Sequence, residues 1–308
     1  MHRDYHNRVR QEWELACSDP LRRIRKMERH RTKGLSFLGA GDGEPLLLLH
    51  GIPGSAHAWE AAGALLACRY RVIIPDLLGF GHSDPPKGDY YMEAQATALR
   101  ELLDDLGIES LYLGGHDFGG PVALSLMRVF PELEIKGLVL SATNVFTDTH
   151  VPLPLRVAQI PILNTAFFKA IVGNRVGLRM MYLAATKAKS EASRQRFGLH
   201  LTPTGIDLTR RIFQRSLADL KANFHAVEDM LVRIAAPTLI LWGANDPFFS
   251  ASVGERVQEA IPRSALKVYE YTGHFVPEER PTRVVQDIVG FFGGLEPRED
   301  TQAAVRES

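Results

Sequence analysis

Two cysteines in 308 residues, Cys17 and Cys68, are too few and too far apart for a disulfide framework or a thiolate metal site. Their scarcity fits a reducing compartment, and Cys68, within Ala64-Leu65-Leu66-Ala67-Cys68, is expected as a packed core thiol. Net charge is lacking too. The 36 Lys and Arg balance 36 Asp and Glu, which removes any global attraction to nucleic acid or an anionic membrane. No charge-free apolar run reaches bilayer length, and the first residues, with Arg3, Asp4, Arg8, Arg10 and Glu12, contain no signal-peptide core. Apart from His2-Arg3-Asp4-Tyr5-His6 near the start, the 11 histidines form no His-x-x-x-His or Cys/His grouping, and no metal is expected. These absences point to a cytoplasmic, cofactor-free protein acting on a small-molecule substrate, with no nucleic-acid partner and no membrane span; a homodimer is left open.

What is present is 45% apolar residues, arranged as alternating strand and helix patterns. Residues 1–21 read as a helical extension around Val9, Trp13 and Leu15, and Ile24–Arg31 with Leu35–Leu38 as two antiparallel edge strands. Leu46-Leu47-Leu48-Leu49 is a continuous apolar run, as a strand buried on both faces requires. Helices at Trp59–Arg69 and Tyr91–Leu106 alternate with strands at Arg71–Pro75, Leu111 onward and Gly137–Ser141, the signature of a parallel sheet built from βαβ crossovers. The rhythm stops at Asn144 and resumes at Thr238–Trp242, with a last strand at Leu266–Tyr269 and a last helix at Thr282–Phe292. Between them, residues 145–231 read as helical (Leu163–Val172, Val176–Thr186, Leu208–Asn223), so the core divides into 22–144 and 232–294, followed by a polar tail, 295–308. From His150 to Lys221 there are 12 Lys and Arg against 3 Asp and Glu, which reads as solvated helix faces.

Three loops at strand ends carry chemistry. Gly115-His116-Asp117-Phe118-Gly119-Gly120 has the spacing of a nucleophile elbow, in which a sharp turn lifts the central side chain above the sheet. Here that side chain is a carboxylate, which attacks without prior deprotonation; taken alone, Asp117 is equally an ordinary helix cap. His50-Gly51-Ile52-Pro53 can aim the Ile52 N–H at one point, as an oxyanion loop needs, and Trp59 follows it. Asp246 and His274 then follow later strands, giving the order nucleophile, acid, histidine.

With the Trp242-Gly243-x-x-Asp246 and Gly273-His274-Phe275 segments, these motifs resemble the α/β-hydrolase superfamily from about Met27 to Phe292, and the elbow resembles its aspartate-nucleophile branch of epoxide hydrolases and haloalkane dehalogenases. The resemblance implies a mostly parallel eight-stranded sheet flanked by helices, with a helical lid after the sixth strand. It also implies a two-step reaction. Asp117 forms an alkyl-enzyme ester, and His274, oriented by Asp246, activates a water that hydrolyses it. The N–H groups of Ile52 and Phe118 would hold the oxyanion. His50, Gly51, Pro53, His116 and Trp59 would line the site, the histidines as structural hydrogen-bonders. An epoxide oxygen needs an acid, which the family draws from lid tyrosines; this lid has Tyr182, also readable as a packed aromatic, with His150, His200 and His225 as other donors. Dehalogenases use Trp donors, commonly after the nucleophile, where Phe118 stands here. Epoxide opening therefore ranks first. Haloalkane dehalogenation, other ester or C–C hydrolysis, and ligand binding without turnover are the alternatives.

Overall fold

The structure, a computed structural model, describes residues 25–149, 169, 172–187 and 197–293. The expected N-terminal extension, most of the helix at Leu163–Val172, His150 and the polar tail lie outside the described residues.

The strands are β1 (Glu28–Thr32), β2 (Leu35–Ala40), β3 (Glu44–Leu49), β4 (Tyr70–Pro75), β5 (Ser110–His116), β6 (Glu134–Ser141), β7 (Thr238–Gly243) and β8 (Ser264–Tyr269). They form one eight-stranded sheet in the order β1-β2-β4-β3-β5-β6-β7-β8. β1 and β2 pair antiparallel, β2 and β4 likewise, and every other pair is parallel. Only β1 of the expected N-terminal pair is an edge strand; β2 is paired on its far side with β4.

The helices are α1 (His57–Leu66), α2 (Met92–Asp105), α3 (Gly119–Val129), α4 (Arg175–Ala185), α5 (Pro203–Ala218), α6 (Leu220–Glu228), α7 (Ala251–Ala260), the short α8 (Val276–Glu279) and α9 (Pro281–Gly293). The Leu46–Leu49 run serves both faces of the sheet. Leu47 and Leu49 pack with Leu99 and Leu102 of α2 and Val122 of α3, whereas Leu46 and Leu48 pack with Trp59 of α1 and Phe292 of α9. Because side chains alternate along a strand, a strand in the middle of a covered sheet needs apolar residues at every position.

Between β6 and β7 the described residues hold α4, α5 and α6 and no strand. The pattern Leu208–Asn223 read as one helix is in fact two. Asp219 leaves helical geometry (φ −152°, ψ 91°) and its side chain accepts the Ala222 N–H, capping α6. A short carboxylate that satisfies an otherwise unpaired first-turn N–H favours a helix start over helix continuation.

Cys68 differs from expectation as well. It is half-buried and disulfide-bonded rather than a packed free thiol, so cysteine usage no longer supports a reducing compartment. Among the described residues no helix is long and apolar enough to cross a membrane.

Candidate active site

The loops after β3, β5, β7 and β8 leave the sheet at the carboxyl ends of their strands, where open α/β sheets gather their sites. At the end of β5, Asp117 takes a left-handed conformation, φ 50°. For a residue with a side chain this costs on the order of 1–3 kcal/mol and persists only where the surroundings enforce it. Here the Asp117 N–H donates to Ser141 O at 3.0 Å, and Asp117 O accepts from the Gly120 N–H at 3.0 Å and from Thr143 Oγ1 at 2.7 Å. Two glycines make the turn sterically feasible. A Cβ on Gly119 would lie 2.6 Å from Leu49 O, and one on Gly51 would lie 2.4 Å from Asp117 Cβ. Asp117 is not the cap of the following helix. The N-cap of α3 is Phe118, and the Asp117 carboxylate faces away from it to a different loop.

That loop is His50-Gly51-Ile52-Pro53, with a cis Ile52–Pro53 bond. The Ile52 N–H donates to Asp117 Oδ1 at 2.7 Å. The Phe118 N–H makes no hydrogen bond to Asp117 and has no acceptor among the described residues. On the other carboxylate oxygen, Asp117 Oδ2 lies 3.5 Å from His274 Nε2, and His274 Nδ1 lies 2.8 Å from Asp246 Oδ2. A carboxylate only accepts, so Nδ1 carries the hydrogen and donates to Asp246. Asp246 is itself fixed, because its Oδ1 accepts the Phe248 N–H at 2.8 Å and the Phe249 N–H at 3.1 Å.

The electrostatics follow from this geometry. Burial works against the His274 charge, but the Asp246 charge and the hydrogen bonds to Asp117 and Asp246 overcome it and push the imidazole up to about 10. Burial also works against the Asp117 charge; the His274 hydrogen bond and charge, helped by His116 and the Ile52 N–H, still hold its carboxyl below the usual range. His50 and His116 go the other way. Burial pushes His50 down to about 4, and burial together with the His274 charge does the same to His116. His50 Nδ1 donates to Gly51 O at 2.8 Å while its Nε2 accepts the Leu77 N–H at 3.0 Å, an arrangement only the neutral ring can make.

Asp117 and His274 open into a cavity of about 100 Å³. Ile52, Phe118 and Pro121 line it from the core, Phe213, Ser216 and Leu217 from α5, Leu220 and Phe224 from α6, and Asn144, Thr149, Phe248 and Phe249 from loops. Of the other residues expected to line the site, Gly51 backs Asp117 directly and His50, Pro53 and His116 sit behind the cavity wall. Trp59 is not at the site. It is buried against the other face of the sheet, donating from Nε1 to Leu49 O at 2.9 Å.

Tyr182 is also not on the cavity. Its hydroxyl donates to Glu278 Oε2 at 2.7 Å, and its ring packs on Phe197 and Phe275. Glu278 further faces His200, whose Nδ1 lies 2.9 Å from Ser55 Oγ, so two side chains of the segment between β6 and β7, Tyr182 and His200, are tied to Glu278 and Ser55. Burial opposes the Glu278 charge, but His200 and the Tyr182 hydroxyl outweigh it and hold the carboxyl low. His225 is exposed beside Asp229, away from the cavity. Sequence reasoning missed Asn144, Thr149, Ser216, Phe248 and Phe249. Only the last two had a signal, as aromatics directly after the Asp246 turn, where their N–H groups cap the carboxylate.

A carboxylate on a strand-to-helix elbow, a backbone donor facing it and an aspartate–histidine pair beside it stand above the mostly parallel sheet. Residues 44–281 match the alpha/beta hydrolase fold family, and the chain belongs to it. It is 31% identical over 283 residues to the uncharacterized protein Rv2715 of Mycobacterium tuberculosis, covering 88% of this chain and 82% of that one. It is 30% identical over 261 residues to Lipase 3 of a Moraxella species, covering 82% and 78%. The crystal structure of the epoxide hydrolase CorEH superposes with a TM-score of 0.72 at 24% identity, covering 88% of this chain and all of that one, a likeness of fold.

Proposed function

We propose that this protein is a cofactor-free hydrolase of small electrophilic substrates, foremost epoxides, acting through a covalent ester on Asp117. The observation that carries the reading is the division of labour between the two Asp117 oxygens. Oδ1 is held by the Ile52 N–H and Oδ2 is turned toward His274. When Oδ2 attacks carbon, Oδ1 becomes the ester carbonyl oxygen, already resting on the donor that must hold it once water adds. No rearrangement of the donor is needed between the two steps.

Ester formation also prepares the base. It removes the Asp117 charge and hydrogen-bond acceptor, two of the contributions that keep His274 protonated at neutral pH. The imidazole, still aligned by Asp246, can then lose its proton and activate water for attack on the ester carbonyl. Residues 145–231 form the proposed lid, which supplies the apolar wall of the cavity through α5 and α6. A single turnover in H₂¹⁸O tests the scheme: label should enter the Asp117 side chain, read by mass spectrometry of its peptide, and product formed without label there overturns it. The second reading, haloalkane dehalogenation, is favoured by the position of Tyr182 away from the cavity, since a halide leaves without a proton. A panel of epoxides, haloalkanes and aryl esters with product identification separates the two.

A further inference from the structure

With Tyr182 committed to Glu278, an epoxide oxygen needs another donor, and the cavity wall supplies few. Asn144 is held on Phe146, its Nδ2 donating to Phe146 O and its Oδ1 accepting the Phe146 N–H, each at 3.2 Å; its second Nδ2 hydrogen can hydrogen-bond, but no acid stands behind it to replace a proton given up. Thr149 donates its hydroxyl to Asn144 Oδ1. Ser216 is different. Its Oγ lies 2.8 Å from the Tyr91 hydroxyl and has no other hydrogen bond among the described residues. Two hydroxyls joined by one hydrogen bond have two protons and use one, so one proton is left over.

Its location follows from the surroundings. Tyr91 is buried at the start of α2, its ring 5.6 Å from that of Phe118 and covered by the Arg215 guanidinium at 4.3 Å. The contact can run either way, but a guanidinium offers no acceptor and a phenol is a stronger donor than an alcohol, so the favoured arrangement has Tyr91 donating to Ser216, which leaves the Ser216 proton for an acceptor in the cavity that Ser216 lines.

We propose that the Ser216 hydroxyl, supplied by Tyr91, is the proton donor to the substrate oxygen released when Asp117 attacks, which makes substrates that leave an alkoxide on a neighbouring carbon the preferred class. The proposal rests on the Asp117 reading. In the first step the Asp117 Oδ2–carbon bond forms and the ring carbon–oxygen bond breaks. The electron pair goes to the oxygen, which takes the Ser216 proton as the Tyr91 proton passes to Ser216. The phenolate so formed lies beside Arg215, which is also paired with Asp89 at 2.8 Å. In the second step water adds to the ester carbon, giving one proton to His274, which passes it to the departing product oxygen. The proton that His274 sheds to solvent once the ester has formed is matched by one that the Tyr91 phenolate takes back from solvent, and the proton left on the Asp117 carboxyl returns to His274, 3.5 Å away, so epoxide and water become diol with the enzyme unchanged. Ser216 is catalytic in this scheme and Tyr91 acts through it.

The test uses the full chain carrying His274→Gln, which stops after the first step, treated with a matched panel of terminal epoxides and the corresponding primary bromides. Ester on Asp117 is followed by intact mass. Adding Ser216→Ala should slow ester formation from epoxides by about 10²-fold, within the usual range for a lost general acid, and from bromides by less than about twofold. Ser216→Thr, which keeps the hydroxyl, should restore the epoxide rate, and Tyr91→Phe should slow it alike across the neutral range, because burial pushes the Tyr91 phenol up to about 12 and keeps it protonated there. Equal losses on both substrate types, or no loss on epoxides, overturn the role of the pair while leaving Asp117 as nucleophile. Ester from bromides alone does the same. No ester from any substrate overturns the Asp117 reading itself, and the proposal with it.

Discussion

Tyr91, at the start of α2, and Tyr182, on α4, are both buried tyrosines, yet their hydroxyls meet different partners. Tyr182 donates to a carboxylate that is itself in contact with His200, whereas Tyr91 meets the hydroxyl of Ser216 on the cavity wall. A phenol bound to a buried carboxylate has no proton to spare, because releasing it would place two negative charges together. A phenol bound to another hydroxyl can pass its proton on. The partner, and not the residue type, decides whether the proton of a buried phenol is held in place or free to move.

On the proposed reading Glu278 and Tyr182 anchor while the elbow side turns over substrate, and the largest effect is expected at the elbow. Asp117→Asn should abolish turnover, on the order of 10⁴-fold or more, as removing a nucleophile does. It should also lower the His274 imidazole from about 10, since the carboxylate charge and hydrogen bond go with it. NMR titration of the imidazole measures this; an unchanged value would detach His274 from Asp117.

On the anchoring side, Tyr182→Phe should cost about 1.5–3 kcal/mol of stability, the usual worth of a hydrogen bond to a charged group, as measured by denaturant unfolding. Its kcat on epoxides should change by less than about threefold. A large kcat loss with unchanged stability would return the role of acid to Tyr182 and erase the contrast between the two tyrosines.

A smaller effect is the acid response. His50 and His116 titrate near 4 in the folded chain against an ordinary 6.5, so between those values the unfolded chain binds more protons. Their contribution to stability is complete above 6.5 and is lost as pH falls toward 4. His274, raised to about 10, behaves oppositely: its contribution is complete below 6.5 and is lost as pH rises through 10. Calorimetric Tm values should therefore fall on both flanks, and His116→Asn should flatten the acid flank only. An acid flank untouched by that substitution would mean the buried ring is not what the acid attacks.

Much of this protein was legible without coordinates, because the features concerned are local. The Leu46–Leu49 run had to be a strand covered on both faces, and the Gly115-x-Asp117-x-Gly119 spacing had to be a turn between strand and helix; the sheet and the elbow are as those patterns require. Asp246 and His274 were found in the same way, since each directly ends a strand pattern. The lid was read less well. One apolar pattern from Leu208 to Asn223 concealed the break that Asp219 makes, because a capping residue inside an amphipathic stretch looks like any exposed polar position.

Only the tertiary structure decided which groups share the cavity. Ser216 and Tyr91 are 125 residues apart, as Tyr182 and Glu278 are 96, and no periodicity reaches across such separations. Trp59 follows the oxyanion loop closely in sequence, yet it turns to the opposite face of the sheet. Sequence determined the sheet, the elbow and the order in which Asp117, Asp246 and His274 follow their strands, since short-range sterics and hydrophobic periodicity are written in neighbouring residues. Hydrogen-bond partnership between distant side chains is set by how whole elements pack, and that is what gave Tyr91 and Tyr182 their different partners.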